Sequence, residues 1–411
     1  MSDDEDATTD AAHVVASVVA DELARLVAGL IRVTGDWDLA EDCVQDAVET
    51  ALSRWRVDGL PRNPAAWRTT VARNRALDVL RRRATERSKL QEAALMDDRP
   101  GHDEDPFSDD LLRLVFTCCH PALALDNRVA LTLRTVAGLS TAEIARAFLV
   151  PEATLSQRLL RTRRKIEHAG IPYRVPPPEL LAERTSGVLA VVYLVFNEGY
   201  SRRDDALIRE ALRLARLLVA LMPDEDEARG LLALVTFAAA RRSTRFDVHG
   251  ELVPMEEQDR SRWDRTLVDE GLWHLRRAAS DGRPPGPYRL QAGIAACHAT
   301  ATEADATDWA AVVELYDGLL VAQRSPVVAL NRAIAIGFRD GYAVGLSELA
   351  GLDDPALTSY YLVPAARADF LRRLGRTGEA LAAYAAALDL VPPDGAEARM
   401  LLRRVGELGG S

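Results

Sequence analysis

The chain has 411 residues, enough for two to four domains with real cores, and 48% of them are apolar against 27% charged, which excludes collagen-like and wholly disordered classes. Four cysteines without a CxxC spacing cannot build a disulfide framework or a four-thiolate zinc site, and a reducing cytoplasm is the expected compartment. The first ten residues hold five acids and no base, the reverse of a signal peptide, and the apolar run Gly187 to Phe196 is too short to cross a bilayer, so no membrane association is expected.

The net charge of -11 is unevenly distributed. Between Arg54 and Lys89 eleven bases face three acids, whereas residues 180–411 hold 27 bases and 33 acids. A basic module is carried by an acidic chain, and a basic module is what polyanion binding requires.

Apolar residues recur at three- and four-residue spacing in almost every segment, and long β-branched alternation is missing, so the chain reads as all-α. The expected organisation is an acidic tail (1–10), a helical domain (11–83), an acidic linker (84–106), a second helical domain (107–170), a proline-rich tether (171–179) and a larger helical region (180–411), with a softer break at Arg283 to Pro287. In the last region Ala368, Ala380, Tyr384, Ala387 and Pro392 fall at the small, aromatic and proline positions of a tetratricopeptide-like (TPR-like) helical hairpin. Upstream of it Trp309 to Gln323, Pro326 to Ile336 and Ala343 to Leu349 have the helix lengths of further hairpins.

Projected at 100° per residue, the segment Asp38 to Arg56 places Ala40, Cys43, Val44, Ala47, Ala51 and Trp55 on one side. Asp38, Glu41, Asp42, Gln45, Asp46 and Glu49 take the other, a face that is either plain solvated surface or a dock for a basic partner. Next, Asn63 can cap a helix that opens on Pro64. In this helix Trp67, Val71, Asn74, Asp78 and Arg81 share a stripe, while Arg73, Arg75, Arg82 and Arg83 project elsewhere. Arginine on most sides points to phosphate contact; for Trp67 and Asp78 the competing reading is core packing and a local arginine pair.

Leu139 to Arg161 reads as a helix-turn-helix, with Thr141 and Glu143 opening the first helix and Ile144, Ala145, Val150 and Leu155 at the crossing. Leu149 stands at the turn position where glycine is usual. In the second helix Leu155, Leu159, Thr162 and Ile166 face inward; Ala153, Thr154, Gln157, Arg161 and Arg164 face outward with Arg158 at the flank, a set suited to major-groove contact.

The segments AEDCVQDAVETALSRW, PRNPAAWRTTVARNRALDVLRRR and LSTAEIARAFLVPEATLSQRLLRTRRKI, in this order, resemble extracytoplasmic-function sigma factors of the sigma-70 family over residues 11–170. The remaining segments LVFNEGY, PMEEQDRSRWDR, TDWAAVVELYDGLL, SPVVALNRAIA and RADFLRRLGRTGEALAAYAAAL resemble the group that carries a TPR-like C-terminal extension. The resemblance implies two small sigma domains, the second a helix-turn-helix, followed by a TPR-like domain that regulates in place of a membrane anti-sigma partner. It further implies that Asp38, Glu41, Asp42, Gln45, Asp46 and Glu49 bind the clamp helices of the largest subunit of core RNA polymerase. In promoter DNA, Arg62, Trp67, Arg73, Asn74, Arg75, Arg81 and Arg82 would recognise and melt the minus-ten element, and Ala153, Thr154, Gln157, Arg158, Arg161 and Arg164 would read the minus-thirty-five element.

No catalytic residue, cofactor or metal is expected. Cys118, Cys119 and His120 diverge by about 100° per residue along one helix and suit inert burial better than a metal site. Glu198 and the cluster Glu256, Glu257, Asp259 and Asp264 have no nucleophile, phosphate loop or His pair at a defined spacing, so inter-helix pairing explains them more simply than acid–base chemistry. Asn197, Glu198 and Tyr200, with Gln258, Asp259, Arg260 and Trp263, are a candidate regulatory groove for a protein or small ligand, or else a scaffold hydrogen-bond network. The competing functions are a free-standing helix-turn-helix regulator with a TPR-like interaction domain, which has no need of the acidic helix 38–56, and a scaffold with vestigial DNA-like segments, which the retained basic balance disfavours.

Overall fold

The computed structural model describes residues 22–59, 61–88, 106–278 and 284–409; the acidic tail, Lys89, most of the acidic linker and Arg283 lie outside the described residues. Every regular element among them is a helix, apart from one isolated bridge between Phe246 and Leu252. The chain divides into two compact units, one through Leu214 and one from Ala215, with the boundary inside a helix.

The first unit opens with α1 (residues 22–34) and α2 (Trp37–Asp58). Asp36 starts α2 by accepting from the Leu39 amide at 3.0 Å, and Ala40, Cys43, Val44, Ala47 and Ala51 are buried, the side that the spacing assigns to the core. Helix α3 (Pro64–Ser88) begins as expected, with the Asn63 carboxamide accepting from the Ala66 amide at 3.0 Å, and continues five residues beyond Arg83, where the linker was expected to begin. Its inward stripe is Arg68, Ala72 and Ala76, and the two alanines are small enough to let α2 and α3 approach.

Helices α4 (Pro106–Cys118), α5 (Leu125–Thr135), α6 (Thr141–Ala147) and α7 (Glu152–His168) follow. They surround Leu111, Leu114, Phe116, Leu131, Ile144 and Leu155, all with essentially no exposed surface. Helix α8 (Pro178–Arg202) and the first half of α9 (Asp205–Leu221) complete this unit.

The second unit runs from the rest of α9 through α10 (Asp226–Ala240), α11 (Arg265–Ala278), α12 (Pro287–Thr300), α13 (Trp309–Ala322), α14 (Pro326–Asp340), α15 (Tyr342–Ala350), α16 (Leu362–Arg373), α17 (Thr377–Leu388) and α18 (Ala396–Gly409). Successive helices share small cores in relay: Leu290, Val312 and Ile336, then Leu330, Leu349 and Phe370, then Ala368, Tyr384 and Leu401. Ala368, Ala380, Tyr384 and Ala387 are all buried in the α16/α17 hairpin, as the repeat pattern requires. Between α14 and α15 a Cβ on Gly345 would meet the Gly337 Cα at 2.6 Å, so only glycine permits that approach. The loop from Arg241 to Asp264 is fastened to the last helices. Glu256 pairs with Arg373 and Arg404, Glu257 with Arg403 (3.0 Å) and Arg404, and the Arg399 guanidinium donates to the Gly250 carbonyl.

Candidate nucleic-acid and polymerase interface

The helix-turn-helix is closed by local chemistry. Ser140, one residue before the expected Thr141, caps α6: its hydroxyl accepts from the Glu143 amide at 3.2 Å and the Glu143 carboxylate accepts from the Ser140 amide at 2.8 Å. The two bonds from Ser140 hold the Glu143 carboxyl below its ordinary range. Leu149 takes the left-handed conformation, φ 51°, with its side chain 76% exposed, so a leucine occupies the glycine-type turn without burial to offset the strain.

On α7 the two faces separate as the periodicity dictates. Leu155, Leu159, Thr162 and Ile166 are buried; Ala153, Thr154, Gln157, Arg161 and Arg164 are exposed and Arg158 is intermediate. Lys165 is tied back to the Ala122 carbonyl at 2.6 Å. The outward face therefore offers guanidinium and carboxamide donors on a helix whose other side is fixed by packing.

Arg62, just before α3, and Arg73, Asn74, Arg75, Arg81 and Arg82 on it are exposed. Trp67 is half-buried with its ring 5.6 Å from that of Trp55, and Asp78 pairs with Arg81 at 3.5 Å, so both residues have protein partners. Arg68, not singled out from the sequence, is buried, paired with Glu22 at 2.5 Å and stacked over Trp55. Arg68 is thus a structural arginine of α3, whereas Arg73, Arg75, Arg81 and Arg82 project outward.

The acidic face of α2 is only partly open. Asp42, Gln45 and Glu49 are exposed, with Gln45 donating to Glu49 at 3.4 Å, and Asp46 pairs with Arg75 at 2.9 Å. Asp38 and Glu41 are held by Arg163 of α7, the Glu41 contact at 2.5 Å, and Glu41 also meets Arg134 at 3.3 Å and the Thr135 hydroxyl at 3.5 Å. Burial works against the Arg163 charge, but Glu41 and Asp38 outweigh it and raise its pKa. Two more ties join the same halves of the unit: Arg32 to Asp110 at 2.9 Å, and the Tyr173 hydroxyl to the Ala28 carbonyl at 2.9 Å and the Asp110 carbonyl at 3.2 Å. Residue Tyr173 belongs to the segment expected as an extended spacer, and it anchors that segment to α1 and α4. These ties span 63 to 145 residues of sequence, a distance at which helical periodicity carries no signal.

Cys118 and Cys119 are buried, and burial pushes both thiols up, Cys119 to about 11 even though the Thr132 hydroxyl lies 3.5 Å from its sulfur. His120 turns its Nδ1 to accept from the Ala122 amide. No group of three or more potential metal ligands exists among the described residues.

The candidate groove residues are divided between the units. Asn197, Glu198 and Tyr200 lie on α8, where Glu198 pairs with Arg202 and Tyr200 stacks on Phe196 with ring centroids 5.3 Å apart. In the second unit the Gln258 carboxamide bonds the Val253 carbonyl (2.9 Å) and the Thr244 hydroxyl (3.4 Å), and the buried Trp263 indole donates to that hydroxyl at 3.0 Å. Asp259 accepts from the Ser261 amide and hydroxyl, which lowers its pKa. Gln258 and Arg260 border a cavity of about 630 Å³ in this unit.

Among the described residues no helix is long and apolar enough to cross a membrane. No solved structure matches the chain. Family models match at three places: Sigma-70 region 2 over residues 18–86, Sigma-70 region 4 over 113–166, and a family of unknown function, DUF6596, over 184–279. An uncharacterized protein, R00370, of Rhizobium meliloti (strain 1021) is 41% identical over 374 residues, 88% of each chain. The ECF RNA polymerase sigma factor SigL of Mycobacterium tuberculosis is 31% identical over 134 residues, which cover 31% of this chain and 73% of that protein. With both sigma-70 regions matched in order, on the helices whose faces are described above, the chain belongs to the extracytoplasmic-function sigma factors of the sigma-70 family.

Proposed function

We propose that this sigma factor binds core RNA polymerase through the acidic face of α2 and directs it to a particular promoter set. In this reading Arg62, Trp67, Arg73, Asn74, Arg75, Arg81 and Arg82 engage and open the minus-ten element, and Ala153, Thr154, Gln157, Arg158, Arg161 and Arg164 read the minus-thirty-five element. Phosphodiester synthesis belongs to the polymerase. The observation that carries the proposal is α7, a helix with one buried side and an outward side of Gln157, Arg161 and Arg164 inside a matched Sigma-70 region 4.

Core binding by α2 requires its carboxylates to be available. Asp42 and Glu49 are exposed, whereas Asp38 and Glu41 must first leave Arg163. The domain after α8 regulates this activity. The test is co-elution of the full chain with bacterial core RNA polymerase on a sizing column, repeated with Asp42→Asn and Glu49→Gln together. The wild type should travel with core and the double variant should not; folded wild type that elutes alone would leave a free-standing helix-turn-helix regulator as the better account.

A further inference from the structure

The cavity in the second unit is framed by the Arg241–Asp264 loop on one side and α12 to α18 on the other. Its apolar floor includes Ile334, Phe338, Phe370 and Met400, with the Trp309 ring stacked nearly parallel on that of Phe338, centroids 4.5 Å apart. Its volume, about 630 Å³, falls in the range of roughly 300–1,000 Å³ that small organic ligands fill.

The charges on its wall do not cancel locally. The Glu256 and Asp369 carboxylates are already paired with Arg373, Arg372 and Arg404, and the third carboxylate on the wall, Asp305, is exposed to solvent. Arg260 is only 7% exposed; its guanidinium donates to the His298 and Ala301 carbonyls and lies over the Trp263 ring, without a carboxylate partner among the described residues. Burial alone lowers its pKa, with no acid to restore it. Arg241, on the same wall, also has no ion pair among the described residues. Burial and the fields of Arg260 and Arg241 together push the His298 imidazole down to about 4, so the ring is neutral, and all three residues line the cavity. The Thr307 hydroxyl on this wall is buried and has no hydrogen-bond partner among the described residues. Two backbone carbonyls satisfy part of the Arg260 guanidinium but leave its charge without a counter-ion, which an anionic ligand would supply.

We propose that this cavity binds a small organic anion: an acidic headgroup at Arg241 and Arg260, and an apolar body against Trp309, Phe338 and Phe370. The proposal is independent of the promoter and polymerase contacts proposed above, and its test reads binding alone. The full chain is titrated with 1-anilinonaphthalene-8-sulfonate, an aromatic anion whose fluorescence reports transfer from water, and then with decanoate and decanol as competitors. The parallel variants are Arg241→Gln, Arg260→Gln and, as an exposed control outside the cavity, Arg324→Gln. The expected result is saturable one-to-one binding, weakened about tenfold or more in Arg241→Gln and Arg260→Gln, unchanged in Arg324→Gln, and displaced by decanoate at concentrations at least tenfold below those needed for decanol. If Arg260→Gln loses its cooperative melting, Arg241→Gln decides. Equal affinity in wild type and Arg241→Gln, equal competition by decanol, or no saturable binding would each overturn the proposal.

Discussion

Replacing Arg163 with methionine should tighten the binding of core RNA polymerase. The substitution keeps much of the buried stem and removes the charge that bridges Asp38 and Glu41. Asp38 is 63% exposed, so its pair with Arg163 is screened by solvent and contributes below about 1 kcal/mol. The Glu41 pair is different, because Arg163 and Glu41 side chains are only 13% and 16% exposed, and a charge-assisted bond there is worth roughly 1.5–3 kcal/mol. Arg134 and Thr135 still contact Glu41 after the change, which limits the penalty for leaving that carboxylate behind. A net release of about 2 kcal/mol corresponds to about 30-fold in the equilibrium between engaged and free α2, and the apparent Kd for core improves by up to that factor when the engaged form dominates. Fluorescence anisotropy of labelled full-length chain titrated with core polymerase measures it, with Arg161→Ala as the comparison on the outward face of α7. An unchanged or weaker Kd in a folded Arg163→Met protein would refute the idea that this contact competes with core.

Three further outcomes follow from other sites. Leu149→Gly relieves a left-handed leucine that costs about 1–2 kcal/mol, against roughly 1 kcal/mol of extra chain entropy, so chemical unfolding should show unchanged or slightly higher stability where an ordinary turn glycine substitution would destabilise. On promoter DNA, Arg161→Ala and Gln157→Ala should lose about 1–3 kcal/mol of discrimination at particular base pairs, whereas Arg164→Ala should weaken all sequences alike and reduce the salt slope by about one, both read by competition binding. The second unit should lose stability as pH falls: His298 titrates near 6.5 when unfolded and at about 4 when folded, so the unfolded chain binds the extra proton between these values. The loss, on the order of 2–3 kcal/mol by pH 4, should be absent from His298→Asn, and parallel pH slopes for the two proteins between pH 6.5 and 5 would contradict it.

What the sequence disclosed was local. The Asn63 cap, the two faces of α7 and the buried Ala368, Ala380, Tyr384 and Ala387 depend on residues within one or two helical turns, where spacing maps directly onto position. The cap on α6 moved by one residue because Ser140 and Thr141 carry the same hydroxyl and only Ser140 has a Glu three positions on. The role of Arg163 is not legible in the sequence, because it lies between the buried and outward faces of α7 and its partners are 122 and 125 residues away. The cavity was hidden for the same reason, since its wall depends on Glu256 and Glu257 reaching Arg373 and Arg404 across 117 to 147 residues. The polar, aromatic surroundings of Arg260 are legible in the sequence, but its lack of a counter-ion depends on Glu256 and Asp369 pairing with Arg373.

If the proposed function holds, this chain gives core polymerase a promoter preference. Multiple-round transcription from a library of genomic fragments, with core polymerase alone and with the full chain added, tests it most directly. A small set of start sites should appear only with the chain, share elements upstream at the minus-ten and minus-thirty-five positions, and disappear with Arg161→Ala and Gln157→Ala combined. Transcripts that are the same with and without the folded chain would contradict it.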